Sequence, residues 1–324
     1  MQAVDRAIWL VRNGRVADAY ALLLAASAGG DGTAALELAH WRMAGDLIRR
    51  DLGEARRLFG LAADRGVASA EPAYLALLAN GAGEVERRWR DALTRLQRST
   101  DPQARQQSAL IAAMDLDPDG NPTRTWPVEH VSTAPLICTI AGLLTPAECA
   151  CLAALASPAL QPSQVIDPAS GRLILDPVRR SSSTAFPFVL ESPFIHVLNR
   201  RIAAVTGTRW EQGEPMQVLS YRPGQEYRRH SDAIRGEANQ RTLTLLILLS
   251  DDFDGGETHF TEIDRAFRGR IGDALLFGNA DAQGNPDPLA FHAGKPVTRG
   301  QKLILSKWIR RYPLDLTGPP GRPF

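Results

Sequence analysis

A chain of 324 residues, 44% hydrophobic and 23% charged, is long enough for about two globular domains and too apolar to be disordered throughout. Its 37 Lys+Arg offset 36 Asp+Glu, so no basic excess points to nucleic acid. No apolar run nears the roughly 20 residues of a membrane-spanning helix, and Asp5 and Arg6 interrupt the start where a signal peptide would be apolar. No nucleic-acid partner, no membrane and a cytoplasmic location are expected. Cys138, Cys149 and Cys151 read as free, small buried residues in a reducing compartment.

Residues 1–112 form the first predicted region. They are rich in Ala, Leu and Arg, and Leu58, Leu61 and Ala62 follow helical spacing. Asp18-Ala19 returns as Glu54-Ala55, 36 positions on, and Ala25-Ala26 and Gly29 return as Ala62-Ala63 and Gly66, 37 positions on. Helices over 34–44 and 73–80 alternate with these. The run from Ala34 through Gly45, Asp51, Glu54-Ala55, Ala62-Ala63, Gly66 and Ala70 resembles the Sel-one-like relatives of the tetratricopeptide repeats. That resemblance implies an α-helical repeat solenoid and a surface for a protein partner. A plain helical bundle is the alternative.

Residues 113–134 read as a linker. Asp117-Pro118-Asp119-Gly120-Asn121-Pro122 is a turn cluster, and Pro127 follows.

Residues 135–324 change grammar. Thr145-Pro146-Ala147-Glu148 is a capping box that starts a helix to about Ala156, and Ser192-Pro193 starts another to about Val205. Strand-sized runs at 215–221, 243–250, 274–277 and 303–310 are punctuated by Gly224, Gly255-Gly256, Gly272, Gly278 and Gly300. This pattern predicts a sandwich or barrel, and the chain as a whole an α+β multidomain protein.

Within this region His230-Ser231-Asp232 places an imidazole and a carboxylate two apart. On an extended backbone both point to one side. With His292 as a third donor they make the two-His, one-carboxylate set of non-haem Fe(II) oxygenases. The pair alone equally fits a surface histidine beside a surface aspartate. In a 302–311 strand, Lys302, Ile304, Ser306 and Trp308 share one face. If that face is interior, Lys302 is a lone buried cation that needs an anionic partner. A surface lysine at a strand start is the alternative. His259 reads as packing or surface.

The ordered string resembles the prolyl 4-hydroxylase family of Fe(II)/2-oxoglutarate-dependent dioxygenases. It runs Tyr221-Arg-Pro-Gly224-Gln225-Glu-Tyr227, His230-Ser-Asp232, Arg241-Thr-Leu-Thr244, Gly255-Gly256-Glu257-Thr258, Gly272-Asp-Ala, His292-Ala-Gly294, Gly300-Gln-Lys302 and Lys307-Trp308. The resemblance implies a double-stranded β-helix, or jelly roll, with flanking helices. It implies His230, Asp232 and His292 as catalytic iron ligands and Lys302 as the partner of the distal carboxylate of 2-oxoglutarate. Tyr221, Thr244 and Trp308 are implied around the co-substrate, and Arg241 beside a peptide substrate. It further implies Fe(II), 2-oxoglutarate and O2, with ascorbate as reductant. The expected reaction is hydroxylation of an unactivated C–H bond, with release of succinate and CO2. The expected substrate is proline in a peptide or protein. A free amino acid or a natural-product intermediate is the alternative, and a non-catalytic repeat scaffold or sensor the alternative of another class. Two departures bear on the substrate side: Leu248 stands where the family often has Tyr, and the 232–241 connection is shorter than in many eukaryotic members.

Overall fold

The computed structural model describes residues 3–83, 86–166, 173–175, 178–281 and 283–315. The chain divides into two compact units, and the division does not simply follow chain order. One comprises Met1–Asn121, Pro187–Leu198 and Asp315–Phe324; the other comprises Pro122–Phe186 and Asn199–Leu314.

The first unit is helical. Ala3–Arg12, Val16–Ala28, Gly32–Ala44, Leu52–Asp64, Glu71–Asn80, Trp89–Gln97 and Pro102–Ala112 each pack on the next in sequence. Side-chain caps start three of them. Asp31 accepts from the Thr33 and Ala34 amides, Asp51 from Glu54 and Asp101 from Ala104. Gly45 and Gly81, 36 positions apart, end alternate helices in the left-handed conformation, which glycine adopts without steric cost. Gly60 lies against Tyr74, and a Cβ there would come within 2.8 Å of the ring. The sequence places 187–198 in the second region. The structure groups it with the helices, where the buried Asn80 Nδ2 donates to the Phe188 carbonyl at 2.8 Å.

The two largest sheets of the second unit are antiparallel. The larger orders its strands Glu129–Thr133, Leu136–Ile140, Ala274–Gly278, Arg241–Leu248, Lys302–Arg310, Met216–Tyr221, Ser182–Phe186 and Gln161–Pro162. The smaller orders Arg265–Phe267, Thr258–Phe260, His292–Gly294 and Tyr227–His230. Such a pair of antiparallel sheets fits the jelly-roll oxygenase architecture. Phe260 and Phe277, one from each sheet, meet edge-to-face at 5.1 Å in the core.

The capping box is present at Pro146–Ala156: Thr145 and Glu148 cap each other reciprocally. Glu148 also takes both terminal nitrogens of Arg201, at 2.9 and 2.8 Å, in a buried bidentate pair. All three cysteines are free and buried. Burial pushes the Cys149 thiol up to about 12 and that of Cys151 to about 11, so both are inert thiols at neutral pH. Among the described residues no helix is long and apolar enough to cross a membrane.

Candidate functional site

Strand register assembles the site. His230 and His292 are direct cross-strand partners in the smaller sheet, and Lys302 faces Tyr221 in the larger one. Lys302, Ile304, Ser306 and Trp308 alternate along their strand and all line one cavity of about 40 Å³ with Tyr221, His230, Asp232 and His292. The alternation read from the sequence therefore points inward.

The strand that carries His230 ends there, so Asp232 lies in the bend beyond it. Convergence does not come from strand alternation, as the His-x-Asp spacing suggested. It comes from a turn of the chain that brings the carboxylate back toward both imidazoles. Asp232 Oδ1 is 3.6 Å from His230 Nε2, and its Oδ2 is 3.8 Å from His292 Nε2. One ligand atom from each residue lies within 4.8 Å of the others.

The donor chemistry fits a metal. His230 Nδ1 lies 2.8 Å from the Arg228 carbonyl oxygen, and His292 Nδ1 lies 3.0 Å from that of Ala290. A carbonyl only accepts, so each Nδ1 carries the proton and each Nε2 offers a lone pair. Burial pushes the His292 imidazole down to about 4 against the pull of Asp232, so this ring is neutral at physiological pH. Burial pushes the Asp232 carboxyl up, but the neighbouring His230 and His292 and the hydroxyl bond from Thr244 outweigh it. The net shift is well below the ordinary carboxylate range. Two imidazoles that can each offer an Nε2 lone pair and one carboxylate are the ligand set a divalent iron takes.

Aromatic rings hold these ligands. Tyr227 stacks on His230 with ring centres 3.4 Å apart, and Phe277 meets His292 edge-on at 4.7 Å. Neither contact was assigned from the sequence, although Tyr227 sits inside the motif string.

Lys302 is buried, and its Nζ donates to the Gly256 carbonyl at 2.7 Å. The ammonium is thus not wholly alone, as the sequence implied, but its partner is neutral. A second cavity, of about 400 Å³, shares Leu246, Thr258, Lys302 and Ile304 with the first and gives a dicarboxylate room beside the ammonium. Thr258, in the Gly-Gly-Glu-Thr segment, is a lining residue to which sequence reasoning gave no role.

Tyr221 and Trp308 line the cavity that holds His230, Asp232 and His292. Thr244 is placed differently. It stands behind Asp232, fully buried, with its hydroxyl donating to Asp232 Oδ2 at 2.7 Å, and it does not line the cavity. Thr244 is cross-strand partner of Trp308. Arg241 lies with its guanidinium 3.9 Å from the centre of the Trp308 ring and is held by Glu214 at 2.6 and 2.7 Å. His259 turns away to Asp264 at 2.8 Å.

Known proteins share this region. The family model of the 2OG-Fe(II) oxygenase superfamily matches residues 216–310, which contain His230, Asp232, His292 and Lys302. Prolyl 4-hydroxylase 1 of Arabidopsis thaliana is 37% identical over 202 residues, 56% of this chain and 71% of that protein. Prolyl 4-hydroxylase 5 of the same plant is 36% identical over 221 residues, 60% of this chain and 74% of that protein. Among solved structures, the viral collagen prolyl hydroxylase of Paramecium Bursaria Chlorella virus-1, in its 2OG complex, is 27% identical with a TM-score of 0.44. That match covers 54% of this chain and 95% of the viral one.

Proposed function

Because this chain belongs to the prolyl 4-hydroxylase family of Fe(II)- and 2-oxoglutarate-dependent dioxygenases, we propose that it hydroxylates a prolyl residue within a peptide or protein. What supports the prolyl substrate is identity of 37% to a protein named for that reaction, extending over 202 residues. When bound, the iron with 2-oxoglutarate and O2 supplies an oxidative decarboxylation that yields succinate and CO2 and places one oxygen atom in a C–H bond.

The chain's own residues do the rest. His230 Nε2, His292 Nε2 and Asp232 would hold the metal, a three-ligand set that leaves positions open for co-substrate and oxygen. Lys302 binds the distal carboxylate of 2-oxoglutarate, and Thr258, Ile304 and Leu246 shape the passage between the ammonium and the metal. Tyr221 and Trp308 wall the cavity and limit water. Arg241, clamped by Glu214 over Trp308, is a preorganised donor for a peptide carbonyl at the edge of that wall.

The helical unit is read as a Sel-one-like solenoid that docks a protein substrate. Its support is the 36-residue recurrence of Gly45 and Gly81 at helix ends and the sequential stacking of the helices.

The test is direct. Purified protein is incubated aerobically with Fe(II), 2-oxoglutarate, ascorbate and either proline-containing peptides or free proline. Mass spectrometry then locates the added oxygen. The account expects 4-hydroxyproline in a peptide. Oxygen on the free amino acid and on no peptide would replace the substrate half of the proposal.

A further inference from the structure

Behind Asp232 lies a short chain of buried polar groups that the reaction described above does not use. Asn279, at the end of the Ala274–Gly278 strand, donates its Nδ2 to Thr244 Oγ1 at 2.8 Å. Thr244 Oγ1 in turn donates to Asp232 Oδ2 at 2.7 Å. Thr244 and Asn279 are both 0% exposed, so neither bond competes with solvent.

The direction of this chain is fixed by chemistry. A ligating carboxylate only accepts, so the single hydroxyl proton of Thr244 goes to Asp232. The threonine oxygen can then only accept from its other neighbour. A flipped Asn279 amide would set a carbonyl oxygen against an oxygen with no proton left to give. The amide therefore stands with Nδ2 toward Thr244, and its backbone is pinned by an N–H donated to the Thr242 carbonyl at 2.9 Å.

We propose that Asn279 and Thr244 are positioning residues for the iron: their one-way relay holds Asp232 Oδ2 and fixes the carboxylate so that Oδ1 is presented to the metal. A ligand left to rotate is a poorer ligand, so the relay is read in metal affinity. The inference rests on the metal-site assignment, and the experiment separates the two.

Metal-stripped protein is titrated with Mn(II), and the dissociation constant is measured by calorimetry for wild type, Thr244→Val, Thr244→Ser, Asn279→Ala and the Thr244→Val/Asn279→Ala pair. Loss of the hydroxyl in Thr244→Val should weaken Mn(II) about 10–100-fold, the usual cost of removing a partner that orients a metal ligand. Thr244→Ser keeps the donor and should stay within about twofold of wild type. Asn279→Ala should weaken binding by a smaller factor, and the double variant should be no weaker than Thr244→Val, because the two residues act in series.

Additive losses, or Thr244→Val binding as wild type while Asp232→Ala binds no metal, would overturn the relay and leave the metal site standing. Undiminished binding by Asp232→Ala would overturn the site itself. If Thr244→Val does not fold, Asn279→Ala decides: unchanged affinity in that variant overturns the proposal. The metal-free melting temperature, taken alongside, distinguishes a role confined to packing, which would shift the melt and leave Thr244→Ser as impaired as Thr244→Val.

Discussion

Lys302, buried, donates its ammonium to the carbonyl oxygen of Gly256 across 2.7 Å and has no bonded acid among the described residues. A neutral acceptor satisfies one proton and leaves the charge uncompensated. The distal carboxylate of 2-oxoglutarate supplies that compensation through a charge-assisted bond of about 1.5–3 kcal/mol. Lys302→Met should therefore raise the dissociation constant for 2-oxoglutarate by about 10–100-fold and leave Mn(II) affinity within about twofold. Anaerobic titration of each ligand checks this. An unchanged 2-oxoglutarate constant would place the co-substrate elsewhere.

The same burial gives the site a pH dependence. It pushes the Lys302 amine down to about 8, with Glu257 opposing and Arg268 reinforcing the shift. Below that pH the group is an ammonium and holds a dicarboxylate; above it the group is neutral and does not. Affinity should be full near pH 7 and about tenfold weaker near pH 9, since each unit above the pKa removes about nine-tenths of the charged form. Lys302→Arg stays charged throughout and should lose nothing over that range. Equal slopes for the two proteins would assign the pH effect to another group.

Metal removal gives a third prediction. Mn(II) at about 100 times its dissociation constant should stabilise the stripped wild-type protein by about 2.7 kcal/mol, read as a rise in melting temperature. Asp232→Ala loses a ligand from a three-ligand set and should show no rise at the same concentration. An equal rise in both would mean that the metal is held by other groups.

Glu148 and Arg201 form a buried ion pair in the oxygenase unit, with two bonds at 2.9 and 2.8 Å. Arg201→Ala leaves Glu148 buried and half-unpaired, which should cost about 3–5 kcal/mol of stability. Glu148→Gln keeps a group able to cap the helix and should cost less. Chemical denaturation of the three proteins checks the order, and Arg201→Ala unfolding at the wild-type midpoint would show that the pair is dispensable.

Much of this was readable in the sequence because it depends on local periodicity. The Lys302 to Trp308 alternation, the Thr145 to Glu148 capping box and the helices at 34–44 and 73–80 each follow from neighbours within one element. The motif string marked His230, Asp232 and His292, and these three converge. What stayed hidden depends on contacts distant in sequence. Thr244 reads as a cavity residue from its place in the motif, and it does share a strand face with Leu246, yet only the fold shows that its hydroxyl meets Asp232. Asn279 carries no local signal, since its role exists only through Thr244, 35 positions away. The grouping of 187–198 with the helical unit likewise rests on Asn80 reaching Phe188 across 108 positions.

The central claim is that His230, Asp232, His292 and Lys302 hold iron and 2-oxoglutarate in one site, and one spectrum tests it. Fe(II) and 2-oxoglutarate are added without oxygen to the purified protein, and the visible charge-transfer absorption of the chelated co-substrate is recorded beside that of His230→Ala. The account predicts a band in the wild type, absent from the variant and weakened in Lys302→Met at the same 2-oxoglutarate concentration. A band of equal strength in His230→Ala, or none in folded wild-type protein, would contradict it.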